Sequence, residues 1–299
     1  MNQMHEIKPG QSIELLKELH ILTRDGKMNQ DSRRKLKQVY HLYQFIEPLL
    51  QQALEEKGGM RGGEKRGLQL VDHGAGKSYL GFILYDLFFK AAGRAPGDSH
   101  VYGIETRDDL VQKSRELAAR LAFPAMSFLN QSVAQAIESP LLPPTVDVVT
   151  ALHACNTATD DAIRFALARQ ARFVVLVPCC QAEVAAVLRK NKAKALSAGP
   201  LAEIWRHPLH TREFGSQVTN ALRCLQLEAH GYHVSVTELV GWEHSMKNEL
   251  IIAEYKSLPR RRPADRLREV LAELGLEELS ERFFAGADAA ARPAQAPAA

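Results

Sequence analysis

The sequence predicts an α/β fold: a doubly wound, mainly parallel sheet that finishes in an antiparallel hairpin. Three observations lead there. Short apolar runs at 68–71, 100–104, 126–129, 146–152 and 173–177 alternate with amphipathic segments. Continuous apolar runs suit strands covered on both faces, and right-handed crossovers wind them into one sheet. The first run ends in Asp72, turns through Gly74 and Gly76, and enters a stripe of Tyr79, Leu80, Phe82, Ile83 and Leu87. Bare backbone and free helix N–H groups at such a turn admit a small ligand. Beyond residue 199 the alternation stops. A helix around 216–229 precedes strands at 232–240 and 249–255 that are joined by a turn, so they pair antiparallel.

The elements follow in order. Residues 1–28 are mixed and predict a loose helix with loops. From Asp31 or Ser32 as N-cap, apolar residues at Leu36, Val39, Tyr40, Tyr43, Ile46, Leu50 and Leu54 give one buried helical stripe. Pro48 is expected to kink or divide that helix. The Gly58-Gly59 and Gly62-Gly63 pairs mark a joint. Helices are expected at 79–92, 107–121, 133–138, 159–169 and 181–192, between the parallel strands. Residues 264–284 carry one or two small amphipathic helices, and the Ala/Pro-rich stretch from 285 buries too little to fold. The expected division is an N-terminal helical extension (1–60), a catalytic body (61–258), a C-terminal helical segment (259–284) and a tail (285–299).

At 299 residues the chain can bury a full-sized core, and 45% hydrophobic with 24% charged residues is ordinary for a soluble protein. No apolar run reaches membrane-spanning length and no secretion signal opens the chain, so a cytoplasmic setting is expected, with no membrane partner. Cys155, Cys179, Cys180 and Cys224 form neither a disulfide framework nor a C-x-x-C pair, and no metal site is expected. The net charge of +3 does not by itself argue for nucleic acid. Its distribution is local: Arg33, Arg34, Lys35 and Lys37 cluster at a helix start. Such a patch can carry phosphate affinity, though it can equally be a solvated helix start. Nothing in the sequence fixes an oligomeric state.

Three ligand classes use glycine turns after a strand. A triphosphate loop needs a glycine five positions before Gly76, where Val71 stands. A dinucleotide turn needs one three positions after Gly76, where Tyr79 stands. S-adenosylmethionine asks for an acid at the strand end and glycines at two-residue spacing, which Asp72, Gly74 and Gly76 provide; Ser78 replaces the third glycine often seen there. Glu105 ends the second strand, where an acid can hold two ribose hydroxyls. At the end of the third strand, Asn130, Gln131 or Ser132 is available to the adenine, and Ser132 joins the candidate cofactor set.

A second constellation sits at the next two strand ends. The fourth runs into His153, Cys155, Asn156 and Asp160, the fifth into Pro178, Cys179, Cys180 and Gln181. Neighbouring strand ends converge at the carboxyl edge, where open α/β sheets bind ligands. His153 can act as a general base. A cysteine can be a nucleophile, or simply a small buried residue under a cofactor.

The run His153-Ala-Cys-Asn-Thr-Ala-Thr-Asp160, then Pro178-Cys-Cys-Gln181, then Glu243-His-Ser-Met-Lys-Asn-Glu-Leu-Ile-Ile252 resembles a methyltransferase family. That family contains the tRNA 2′-O-methyltransferases of the acceptor stem and related methyltransferase-like proteins. Its pattern is H-x-C-G-x-A-T-D, then C-C-H, then H-[ST]-x-K-N before the last strand. Residues 65–256 carry the resemblance, with Asn156 in place of Gly and Gln181 in place of His. The resemblance implies a Rossmann-like, seven-stranded class I methyltransferase sheet. It implies S-adenosylmethionine at Asp72, Gly74, Gly76 and Glu105. It places His153, Cys155, Cys179 and Cys180 in the catalytic set, and Pro178, His244, Lys247 and Asn248 beside the substrate.

The expected function is S-adenosylmethionine-dependent methylation of RNA, with tRNA as one candidate. Arg33, Arg34 and Lys37 are expected to hold the backbone of that partner. Two alternatives remain open: methylation of a protein or small molecule, and a cofactor-binding regulator without turnover.

Overall fold

The computed structural model describes residues 6–58, 67–94, 97–152, 156–178, 181–191, 203–204, 206–239, 249–257 and 261–284. Its centre is a seven-stranded sheet of order β3-β2-β1-β4-β5-β7-β6. The strands are β1 (Gln69–His73), β2 (His100–Glu105), β3 (Met126–Asn130), β4 (Val148–Leu152), β5 (Phe173–Val177), β6 (Tyr232–Glu238) and β7 (Glu249–Tyr255). β1 to β5 pair in parallel and β7 runs antiparallel to both β5 and β6. This is the expected class I methyltransferase layout. The parallel strands finish nearly level, with His73 opposite Ile104 and Leu152 opposite Val177, so their last residues share one edge.

Helices cover both faces. α1 (Ile13–Glu18), α2 (Gln30–Gly58), α3 (Tyr79–Leu84) and α4 (Asp108–Arg120) pack on one face, where Leu16, Ile46, Phe82 and Val111 meet Leu70, Val101, Val148 and Val175. α5 (Val133–Glu138) and α6 (Ala158–Ala168) cover the other, with Ala136, Ile163 and Phe165 against Val71, Ile104 and Val149. α7 (Glu183–Lys190), α8 (Pro208–Ala229), α9 (Arg261–Glu273) and α10 (Ser280–Phe284) form a third apolar cluster through Val184, Leu188, Leu222, Leu267 and Phe283.

Several expectations are corrected. Of the two outcomes expected at Pro48, division does not occur: α2 runs through it as one 29-residue helix. Its start is Gln30, because Asn29 Oδ1 accepts from Ser32 N at 2.8 Å and Ser32 Oγ at 3.0 Å, ahead of the caps expected at Asp31 or Ser32. The helix after β1 is α-helical only to Leu84 and widens into a π-helix over Tyr85–Ala91. The whole run from Leu80 to Phe89 is buried, through the α-helical and the π-helical part alike, so the segment is enclosed rather than amphipathic. α8 starts at Pro208, two turns before 216. Gly215 lies inside it because a Cβ there would sit 2.8 Å from the Cβ and the backbone N of Ala185, so α7 and α8 touch at the backbone.

Candidate cofactor and active site

The turn after β1 reverses its backbone three times. Gly74 (φ 65), Gly76 (φ 57) and Ser78 (φ 51) are all left-handed, one at each alternate position. Glycine takes this conformation without strain. Ser78 occupies the third such position with a side chain, and its Oγ lies 3.4 Å from Asp72 Oδ2. Ala75 N donates to Ile104 O at 3.0 Å, tying the turn to β2.

Asp72 faces inward from this turn. It is buried, accepts from Thr150 Oγ1 at 2.9 Å and Gly81 N at 3.3 Å, and so links β1, β4 and α3. Desolvation pushes its pKa up to about 6, against the lowering effect of these bonds. His73, between Asp72 and Gly74, lies against Phe165 with ring centroids 5.7 Å apart. Both of its ring nitrogens are buried without a hydrogen-bond partner. Desolvation lowers its pKa to about 4, although the charge of Glu105 acts the other way, so the imidazole is neutral at pH 7.

Glu105 stands at the end of β2 beside the glycine turn. Its Oε2 accepts from Gly76 N at 2.8 Å; its Oε1 accepts from Thr106 N at 2.9 Å and Arg107 N at 3.0 Å. Arg107 Nε reaches Oε1 at 3.2 Å from an exposed position. Partial burial pushes the Glu105 pKa up, but the bonds from Arg107 and Gly76 outweigh it and hold the carboxyl below its usual range. The outer side of the turn is open: a Cβ on Gly76 would meet a single atom within 4 Å, Arg107 Nη2 at 3.7 Å. A carboxylate next to an outward-facing bare backbone can accept from a diol while the main chain approaches a ligand closely.

The other predicted residues fall in several places. Ser132 is the N-cap of α5 in a capping box: its Oγ accepts from Gln135 N at 3.4 Å and Gln135 Oε1 accepts from Ser132 N at 2.8 Å. Pro178 is buried directly after β5. Arg33, Arg34 and Lys37 lie on the first turns of α2, where Arg33 pairs with Glu6 at 2.9 Å while Arg34 and Lys37 are exposed. No described contact joins these three to the glycine turn. His153, Cys155, Cys179, Cys180, His244, Lys247 and Asn248 lie outside the described residues.

Sequence reasoning missed Thr150, the partner of Asp72, and Arg107, which lies across Glu105. It also missed Arg223 of α8, which is fully buried and paired with Asp160 at 2.7 Å. A signal for Arg223 was present: Thr219, Asn220, Arg223 and Gln226 fall at three- and four-residue spacing and share one helix face with each other, a polar stripe that the fold buries. Among the described residues no group of three or more His, Cys, Asp or Glu is placed to hold a metal ion. No described helix is long and apolar enough to cross a membrane.

Comparison with known proteins places this geometry. Residues 34–187, more than half of the chain, match a family profile described as a methyltransferase domain. No curated protein matches. Among solved structures, a putative caffeoyl-CoA O-methyltransferase from Staphylococcus aureus is 11% identical, with a TM-score of 0.42 over 82% of this chain and 92% of that one. Magnesium protoporphyrin IX methyltransferase from Synechocystis PCC 6803, with bound SAH, is 15% identical, with a TM-score of 0.40 over 81% of this chain and 93% of that one. Fibrillarin from Aeropyrum pernix, with natively bound S-adenosyl-L-methionine, is 12% identical, with a TM-score of 0.37 over 68% of this chain and 73% of that one. On the family match, the chain belongs to the methyltransferase-domain family and is an S-adenosylmethionine-dependent methyltransferase.

Proposed function

We propose that the protein methylates RNA in the cytoplasm, with S-adenosylmethionine held between the turn at Gly74 and Gly76 and the carboxylate of Glu105. The observation that carries the cofactor half is the open front of Gly76 beside Glu105, with Gly76 N and Glu105 Oε2 2.8 Å apart. The residues present fit the group. Glu105 is an acceptor-only carboxylate suited to two ribose hydroxyls. Gly74 and Gly76 leave the main chain bare on the ligand side. Asp72 holds the turn from behind through Thr150 and Gly81, and Ser132 starts the helix that borders the adenine side.

The cofactor supplies an electrophilic methyl group when bound. The chain's own work is to place the acceptor atom in line with it, and such positioning accounts for much of the rate of a two-substrate displacement. On this reading the acceptor enters over the ends of β4 and β5. There His153 takes its proton, Cys155, Cys179 and Cys180 complete the catalytic set, and Pro178 shapes the floor. His244, Lys247 and Asn248, before β7, contact the substrate.

The RNA half is carried by the three ordered motifs at residues 153–160, 178–181 and 243–252 and their likeness to the tRNA-modifying family. The exposed Arg34 and Lys37 support it as backbone contacts. Mass spectrometry of nucleosides from a strain lacking the protein tests it: one modified nucleoside is expected to disappear, and wild-type levels of every modification would refute the RNA assignment. A second reading, methylation of a protein or small molecule, is favoured by the pairing of Arg33 with Glu6 and of Lys35 with Asp31, which neutralises half of the basic cluster. In that case affinity for RNA would be weak and nearly independent of salt.

A further inference from the structure

Arg223 has no solvent exposure, and its guanidinium is filled on every side. Nε donates to Asp160 Oδ1 at 2.7 Å and Nη2 to Asp160 Oδ2 at 3.0 Å, a bidentate pair with the first turn of α6. Nη2 also donates to the main-chain carbonyl of Asn156 at 2.9 Å. Asn156 is itself left-handed, at φ 53. Nη1 donates to Asn220 Oδ1 at 3.2 Å. Asn220 Oδ1 also accepts from Gln181 Nε2 at 2.7 Å, so Arg223 and Gln181 meet on one acceptor.

Arg223 therefore holds the segment after β4 directly and meets the segment after β5 through a shared acceptor, Asn220 Oδ1. Asn156 and Asp160 follow the end of β4; Gln181 follows the end of β5. These strands are neighbours and end level. A second tie crosses the same gap: Asn156 Oδ1 accepts from Ala182 N at 3.4 Å. Arg282 of α10 pairs with Glu183 and lies 3.9 Å from Asp160, closing the cluster from outside. The cleft over it holds about 10 Å³, the space of one water, so the cluster is a joint and not a ligand pocket.

We propose that Arg223 is a positioning residue that fixes the segments after β4 and β5 relative to each other, so that the acceptor side of the methyl-transfer site keeps one geometry. The proposal rests on the reading that the acceptor meets these two strand ends. A buried Arg that grips one segment and shares an acceptor with the other suits this task. Its planar fork sets distance and angle together, which a Lys ammonium does not.

The test uses the full chain with Arg223→Lys, which keeps the charge opposite Asp160 but not the fork. Expected are a melting temperature within a few degrees of wild type and an unchanged affinity for S-adenosylmethionine by calorimetry. Hydrogen exchange at residues 156–161 and 181–186 should be at least ~10-fold faster while 72–82 is unaffected. With RNA from the deletion strain as acceptor, turnover should fall at least ~10-fold with KM for S-adenosylmethionine unchanged. Unchanged exchange in both segments, or equally faster exchange throughout the molecule, would overturn the proposal. If Arg223→Lys does not fold, Gln181→Ala decides. Faster exchange confined to 181–186 supports the clamp, and no change there overturns it. If wild-type enzyme transfers no methyl group to that RNA, the acceptor reading fails, and the exchange comparison still decides the role of Arg223.

Discussion

Asp72 carries a charge that the fold desolvates, and this gives the protein a pH signature. Its folded pKa of about 6 lies above the ordinary 3.8. Protonation therefore favours the folded state: the contribution is complete below the unfolded pKa and is lost as the pH rises through 6. The loss amounts to about 3 kcal/mol. His73 works in the opposite sense, because its folded pKa of about 4 means that folding favours the neutral ring and loses stability as the pH falls from 6.5 toward 4. Urea unfolding of Asp72→Asn and wild type at pH 4 and pH 7.5 isolates the first effect. The mutant should gain about 2–3 kcal/mol relative to wild type on going to the higher pH. A constant difference would mean that Asp72 is not desolvated as described. Ser78 gives a second check. As the left-handed residue in the place of a third glycine, it should accept Ser78→Gly within about 1 kcal/mol. Ser78→Val should cost about 1–3 kcal/mol in thermal unfolding. Equal effects of the two would contradict the strained turn. The sequence showed Asp72, Gly74, Gly76 and Glu105 as one group, since strand-end acids and alternate glycines are local patterns. It could not show Thr150 as the partner of Asp72, because that pair is 78 residues apart in the chain.

The strands were legible because five apolar runs, each bounded by turn residues, leave little choice of period or length. The helices were legible where the apolar stripe is regular, as in α4 and α6. They were misjudged where tertiary contact overrides the pattern. The π-helix at Tyr85–Ala91 lies under the N-terminal segment, where Ser12 N donates to both oxygens of Asp86 at 3.1 Å and Lys90 Nζ to Gly10 O at 2.8 Å. A local window contains none of those partners. The first two turns of α8 lie before the helix expected around 216–229, and Gly215 within them admits Ala185 of α7. Gly215→Val should force α7 and α8 apart and cost about 1–3 kcal/mol in thermal unfolding. A neutral outcome would mean that the two helices are not in backbone contact. α2 is fastened at its far end by Arg172, which meets Glu56 through Nε at 2.9 Å and Nη2 at 2.8 Å and also meets Glu254 at 3.0 Å.

Across the whole molecule, the parallel strands end nearly level at one edge, where the proposed cofactor and acceptor sites meet, and the helices at both ends of the chain brace the sheet from outside. α1 and α2 share an apolar core with the sheet, α9 packs with α7, α8 and α10, and α10 reaches the segments after β4 and β5 through Arg282. Fold, cofactor class and reaction type could be read from the motifs because each is set by a few residues at fixed spacing. The acceptor could not, since it depends on surface charge, and the paired Arg33 and Lys35 show how little a run of basic residues says before its partners are known. Calorimetric titration of the full chain with S-adenosylmethionine probes the site at its base, comparing wild type with Glu105→Ala. One cofactor per chain should bind wild type, and the variant should bind at least ~10-fold more weakly, the loss expected when bonds to a charged acceptor are removed. No binding to wild type, or equal binding to both, would contradict the placement of the cofactor between the glycine turn and Glu105.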